Sequence, residues 1–200
     1  MLTYYILPGG DGTNNYGWFN WLKKEIEEKA LGTAIICETE IISPIERAKL
    51  LASQYILDHN TVIVSHSFGA LAAIKWVEIV GRHIAGLVLI DPSVKISFEA
   101  PWVEELAAED HNRLLYLESW NWEMELPIVK RYVDKIIILS DQHPESIINN
   151  RWPGEHANYA KELGALLIET TGEEMHFYAE QEPEVLKAVM KITLDKNSSK

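Results

Sequence analysis

The sequence predicts an α/β fold: a mostly parallel, doubly wound sheet of about six strands flanked by helices. Three observations carry this prediction. Short, almost uninterrupted apolar runs occupy residues 4–7, 34–37, 62–65, 84–90, 135–139 and 165–169. A strand covered by helices on both faces has no solvent side, so it loses the alternation of a half-exposed strand. Helical stretches separate these runs, and a βαβα alternation with right-handed crossovers makes neighbouring strands parallel. The third observation is local. Residues 61–70 read Thr-Val-Ile-Val-Ser-His-Ser-Phe-Gly-Ala, a β-branched run that meets a turn of small residues and then a helix former.

Each element has its own justification. The first strand runs into the glycine-rich turn Pro8-Gly9-Gly10-Asp11-Gly12. Trp18, Leu22 and Ile26 follow at i, i+4 and i+8 with Lys and Glu opposite, which is one apolar helix face. After the second strand, Ser43-Pro44-Ile45-Glu46 is a capping box with proline at the first helical position, so a helix starts there and runs toward Leu57. The third strand and a helix over 68–80 bracket Ser67, and the fourth strand ends in Asp91-Pro92. Residues 92–132 then form a stretch of about forty residues without a clear strand, long for a connection. It carries Phe98, Trp102, Trp120, Trp122 and Met124 and is expected to be a helical, Trp-rich segment over the sheet edge. Trp120 and Trp122 are candidates for an apolar substrate wall. Further helices are expected over 155–163 and 182–192, and residues 196–200 read as a frayed polar tail.

Composition narrows the function classes. The chain has 200 residues, 47% of them hydrophobic, and a formal net charge of −12. That length suits one domain with a full core, expected over residues 1–195, and the apolar fraction is ordinary for a soluble globular protein. The negative charge repels nucleic acid and anionic membrane surfaces, so neither is expected as a partner. The single cysteine, Cys37, excludes an intramolecular disulfide and a cysteine-rich zinc site. It lies in the run Thr33-Ala-Ile-Ile-Cys37, where a buried structural thiol is expected. The chain enters a strand almost at once, without a basic leader or a long apolar segment, so a cytoplasmic location is the expectation. No histidine pair has metal-ligand spacing and Glu173-Glu174-Met175-His176 is not a zinc motif, so no metal or other cofactor is expected.

The chemistry resides in the third observation. A strand that turns sharply into a helix lifts Ser67 clear of the sheet and points helix N-terminal amides at whatever bonds to it. This pattern is the nucleophile elbow of an α/β-hydrolase, G-x-S-x-G, with Ser65 in place of the first glycine. The turn leaves little room beside the nucleophile, and serine is the next smallest polar residue. A serine hydroxyl needs a neighbouring base. In such a fold the base follows the last strand, where the chain reads Thr170-Thr-Gly-Glu-Glu-Met-His176-Phe177, making His176 the candidate. His66 is the variable elbow position, and His59, His83 and His111 sit beside polar residues that suggest surface. His143 and His156 fall in the loop region after the 135–139 strand. For the oxyanion, the candidate amides are those of Phe68, next to the nucleophile, and Gly10 in the first glycine-rich turn.

The run Ile6-Leu-Pro-Gly-Gly-Asp-Gly12, followed by Tyr16-Gly-Trp-Phe-Asn-Trp-Leu-Lys-Lys-Glu25, resembles the small serine-hydrolase family that includes retinoblastoma-binding protein nine and its bacterial relatives. The resemblance continues through the Ser65–Gly69 elbow, Pro127-Ile-Val-Lys130 and Val133-Asp-Lys-Ile136 to Met175-His176-Phe177, where the family usually has Gly-His-Phe. It implies a compact α/β-hydrolase with a Ser-His-Asp triad acting on small esters or amides. The family's retinoblastoma-binding motif, Leu-x-Cys-x-Glu, is absent, since Ile35 and Thr39 flank Cys37. The family takes its acid from a Ser-x-x-Asp-Pro loop, and an ungapped alignment on Ser140-Asp-Gln-His143-Pro144 puts His143 there. Two aspartates remain open as the acid. Asp141 lies two residues early. Asp91 follows the strand after the elbow helix, an arrangement similar to that of pancreatic-type lipases and some thioesterase domains.

The expectation is therefore a carboxylesterase-like serine hydrolase. Ser67 would be the nucleophile, His176 the base, Asp91 or Asp141 the acid, and a small-molecule ester the substrate. An acyltransferase using the same acyl-enzyme is not separable from it by sequence. The rival is a hydrolase-shaped binding module with decayed catalysis, contacting a protein partner through the Trp-rich segment.

Overall fold

All six apolar runs become strands of one sheet, and every neighbouring pair is parallel. The computed structural model describes residues 1–10, 17–39, 43–93, 125–143 and 154–198, with side chains as far as 194. In chain order the elements are β1 (Leu2–Leu7), α1 (Trp18–Glu28), β2 (Gly32–Ile36), α2 (Pro44–Gln54), β3 (Thr61–His66), α3 (Gly69–Val80) and β4 (Gly86–Ile90). There follow α4 (Leu126–Tyr132), β5 (Ile136–Asp141), α5 (Glu155–Leu163), β6 (Leu166–Thr170), a 3₁₀ turn (Met175–Phe177) and α6 (Pro183–Ser198). The spatial order is β2-β1-β3-β4-β5-β6. From β1 the chain steps outward to β2, then returns to the other side of β1 for β3. The loops leaving β1 and β3 therefore part at the carboxyl edge, and an open α/β sheet binds ligands at such a switch point.

Side-chain parity divides the core in two. Tyr5, Leu7, Ile63, Leu87, Leu89, Ile136 and Ile138 face α2, α3, α4 and α5, while Tyr4, Ile6, Val62, Val64, Val88, Ile90, Ile137 and Leu139 face α1 and α6. The four central strands are buried on both faces, whereas the edge strands β2 and β6 are only partly covered because each lacks one neighbour. The apolar stripe of α1 is as expected, with Trp18, Leu22 and Ile26 fully buried, and Phe19 is buried beside them. Each such side chain stabilises the fold by about 1.5–3 kcal/mol relative to exposure. The Ser43 hydroxyl accepts from the Glu46 amide at 3.5 Å, with Pro44 opening α2. Cys37 is buried, and burial pushes its thiol up to about 12, well out of the reactive range.

Some boundaries move. Strands β3 and β5 run on to His66 and Asp141, because both continue to pair with their neighbours. Helix α6 continues to Ser198, and no glycine or proline after Pro183 interrupts it. The helix expected over 155–163 forms as α5 and takes His156 out of the loop region into a buried position. Of the Trp-rich segment, residues 126–132 form α4, while Trp120 and Trp122 lie outside the described residues. Among the described residues, no helix is long and apolar enough to cross a membrane.

Candidate active site

Backbone strain marks one place on the molecule. Among the described residues, five other than glycine have positive φ: Ala30, Ser67, Asp91, His176 and Phe177. All but Ala30 lie where β3, β4 and β6 leave the sheet at its carboxyl edge. Residues with a Cβ adopt this conformation at a cost of about 1–3 kcal/mol, and it persists only where the surroundings impose it.

The elbow explains the first of these. Ser67 follows β3 directly, with φ of 50°, and its amide donates to the Ile90 carbonyl at 2.9 Å. Its own carbonyl accepts from Ser93 at 3.2 Å, which ties the turn to the exit of β4. Ser65, where the motif has glycine, is buried and its hydroxyl donates to the Val88 carbonyl at 3.5 Å. The second glycine of the motif has no such freedom. A Cβ on Gly69 would lie 2.5 Å from the Pro8 carbonyl oxygen, and one on Gly9 would lie 2.9 Å from the Ser67 Cβ. The glycine-rich turn after β1 therefore packs directly on the elbow. Arg47, on the buried face of α2, donates to that same Pro8 carbonyl at 2.7 Å and fixes the start of the turn. Gly10 and Phe68, the sequence-derived oxyanion candidates, are on the two loops so joined.

The second cluster holds His176. Its Nδ1 is hydrogen-bonded to Oδ2 of Asp91, a fully buried carboxylate on the strained residue after β4. The other oxygen, Oδ1, accepts from the Asp141 amide at 3.2 Å. Asp141 meets the same histidine elsewhere: its Oδ2 accepts from the His176 backbone N–H at 2.9 Å, and its Oδ1 from that of His143 at 3.0 Å. Of the two aspartates left open by the sequence, Asp91 touches the imidazole and Asp141 touches the backbone. Glu182, buried at the start of α6, accepts from the amides of Glu173 and Ala179 at 3.1 and 3.2 Å and so brackets the loop that carries His176.

Three residues of this neighbourhood have no role assigned to them from the sequence. Arg47 is one. A charged residue in line with the buried Pro44, Ala48 and Leu51 on one helix face was the available signal. His156 is the second: its Nδ1 bonds the Ser140 hydroxyl at 2.7 Å, its Nε2 donates to the Pro92 carbonyl at 2.9 Å, and Asp91 Oδ1 is 3.8 Å away. It props the Asp91-Pro92 turn from below. His66 is the third. Even parity in β3 points it toward α1, and its Nε2 donates to the His176 carbonyl at 2.9 Å.

Burial holds His66 neutral. Desolvation is the main cause, the positive form of His176 adds to it, and the bond to the carbonyl opposes it, leaving the pKa well below 6.5. The sign of the stability effect follows. Below pH 6.5 the unfolded chain binds a proton here and the folded chain does not, so stability falls as pH drops through that value. The slope is at most about 1.4 kcal/mol per pH unit. Urea melts at pH 7 and pH 5.5 check this: wild type is expected to lose more stability across the interval than His66→Gln, and equal losses would contradict it.

The chain is also similar to known proteins. The chain matches the family described as serine hydrolase over residues 4–190. It is 25% identical over 129 residues to serine hydrolase RBBP9 of Rattus norvegicus, covering 59% of this chain and 61% of that protein's length. Among solved structures, the ydeN gene product of B. subtilis has a TM-score of 0.75 at 18% identity, covering 96% of this chain and 98% of that one. Est1E of Butyrivibrio proteoclasticus, solved with ferulic acid bound, has a TM-score of 0.64 at 14% identity, covering 99% and 90%.

Proposed function

The chain belongs to the serine hydrolase family, and from that premise we propose that it cleaves small carboxylic esters through an acyl-enzyme on Ser67. The observation that carries this reading is the hydrogen bond from the His176 imidazole to the buried Asp91 carboxylate, beside a strained serine elbow. Asp91 accepts a hydrogen bond from Nδ1–H, which keeps that proton on Nδ1 and leaves the Nε2 lone pair able to take a proton from the Ser67 hydroxyl. The Ser67 oxygen then attacks the carbonyl carbon, and the Phe68 and Gly10 amides stabilise the oxyanion. His176 passes the proton to the departing alcohol. Water, deprotonated by the same imidazole, cleaves the acyl-enzyme and regenerates the hydroxyl. No metal or other cofactor enters the scheme.

Asp91 also weighs against the decayed binding module, one support for which is His143 at the family's acid position, beside Ser65 in the elbow and Met175 before His176. A panel of p-nitrophenyl esters from acetyl to decanoyl, with ethyl ferulate and the matching anilides, tests the reading. Ethyl ferulate is included because Est1E, of the same fold, binds ferulic acid. The expected result is turnover of short esters with little action on the anilides. Ester turnover no greater than that of Ser67→Ala would overturn it, and anilides cleaved as well as esters would move the substrate class to amides.

A further inference from the structure

On the reading that Ser67 and His176 act together, we propose that His66 is a positioning residue that clamps the base-bearing loop and the glycine-rich turn to the nucleophile elbow. Contacts of three kinds converge on its ring. The Nε2–H donates to the His176 carbonyl at 2.9 Å. The other edge backs the turn after β1, so that a Cβ on Gly9 would lie 3.1 Å from Nδ1. Around it stand the rings of His176, Tyr178, Trp18 and Phe19, with centroids 4.6, 5.7, 5.9 and 6.1 Å away. Because His66 is the last residue of β3, directly before Ser67, whatever it holds is held relative to the nucleophile.

The clamp answers a specific need. His176 has φ of 58°, a conformation that a residue with a Cβ leaves unless it is anchored. Its amide is anchored by Asp141 and its carbonyl by His66. A carbonyl only accepts, so the bond requires the proton of His66 on Nε2. In a buried ring with one proton, that is one defined tautomer. If His176 shifts by about 1 Å, proton transfer from Ser67 slows by about a hundredfold.

Two variants separate the bond from the volume. Gln places an amide N–H near the position of Nε2, while Met fills similar space without a donor. The readouts are ester kcat and KM and the rate of Ser67 labelling by a fluorophosphonate, with far-ultraviolet circular dichroism for folding. His66→Gln is expected to keep kcat and labelling within about fivefold of wild type, and His66→Met to lose about twentyfold or more at nearly constant KM. Equal rates in the two variants, at any level, would show that His66 only fills space and would overturn the clamp. Should His66→Met not fold, ¹⁵N-resolved imidazole spectra of the wild type at pH 7 decide: the Nε2–H tautomer is expected, and the Nδ1–H tautomer overturns the proposal. Failure of the wild type itself to label would instead overturn the hydrolase reading, and with it any purpose for the clamp.

Discussion

Ser67→Ala is expected to lower ester kcat by about 10⁶, as removal of a nucleophile does in a serine protease. The residual rate would come from bound substrate and oxyanion donors acting on water. The loss reports chemistry and not folding. The hydroxyl contributes nothing to the backbone bonds of the elbow, which run through the Ser67 amide and carbonyl. Alanine also inherits the same φ of 50°. Ser67→Gly adds a check on the strain: glycine adopts that conformation without a Cβ clash, so it is expected to be more stable than Ser67→Ala by roughly 1 kcal/mol while equally inactive. Thermal melts beside the esterase assay read both quantities.

Asp91→Asn carries the second largest expected effect, a loss of about 10⁴ in kcat. The direction of the new amide is set by the neighbours. Oδ1 of residue 91 must remain an oxygen, because it accepts from the Asp141 N–H at 3.2 Å. The NH₂ group is thus turned toward His176 Nδ1, which must give up its proton and become the acceptor. The remaining proton moves to Nε2, and the histidine can no longer act as a base. Asp141→Asn differs. Its two oxygens each accept one backbone N–H, from His143 and His176, and an amide satisfies only one of them. That costs about 1–3 kcal/mol of stability and disturbs the placement of His176, with an expected kcat loss of about tenfold. Kinetics of the two Asn variants side by side settle the assignment, since a larger loss in Asp141→Asn would make Asp141 the acid.

The sheet was legible because each strand is written in residues that fit nowhere else. Val62-Ile-Val64 and Ile136-Ile-Ile-Leu139 are apolar on both parities, and a strand buried on both faces is the place for them. The candidate positions of Ser67 and His176 could be read from chain order: after the third strand for one, after the last for the other. Which aspartate meets the imidazole could not be read, because both stand at the ends of adjacent strands. Asp91 N–H donates to the Leu139 carbonyl at 2.7 Å, so the β4 and β5 exits lie side by side within reach of one histidine. Only the turn geometry, with φ of 40° at Asp91, decides which carboxylate meets the imidazole. His66 and His156 were hidden for a related reason. Their importance depends on carbonyls of His176 and Pro92, far along the chain, and backbone atoms carry no sequence signal.

The most direct test of the account is treatment of the folded protein with a fluorophosphonate, followed by intact-mass measurement and peptide mapping. One phosphonyl group per chain, on the peptide containing Ser67 and absent from Ser67→Ala, is the predicted result; such labelling requires an activated serine and an assembled oxyanion site together. Folded wild-type protein that takes up no label, or label that persists in Ser67→Ala, would contradict it.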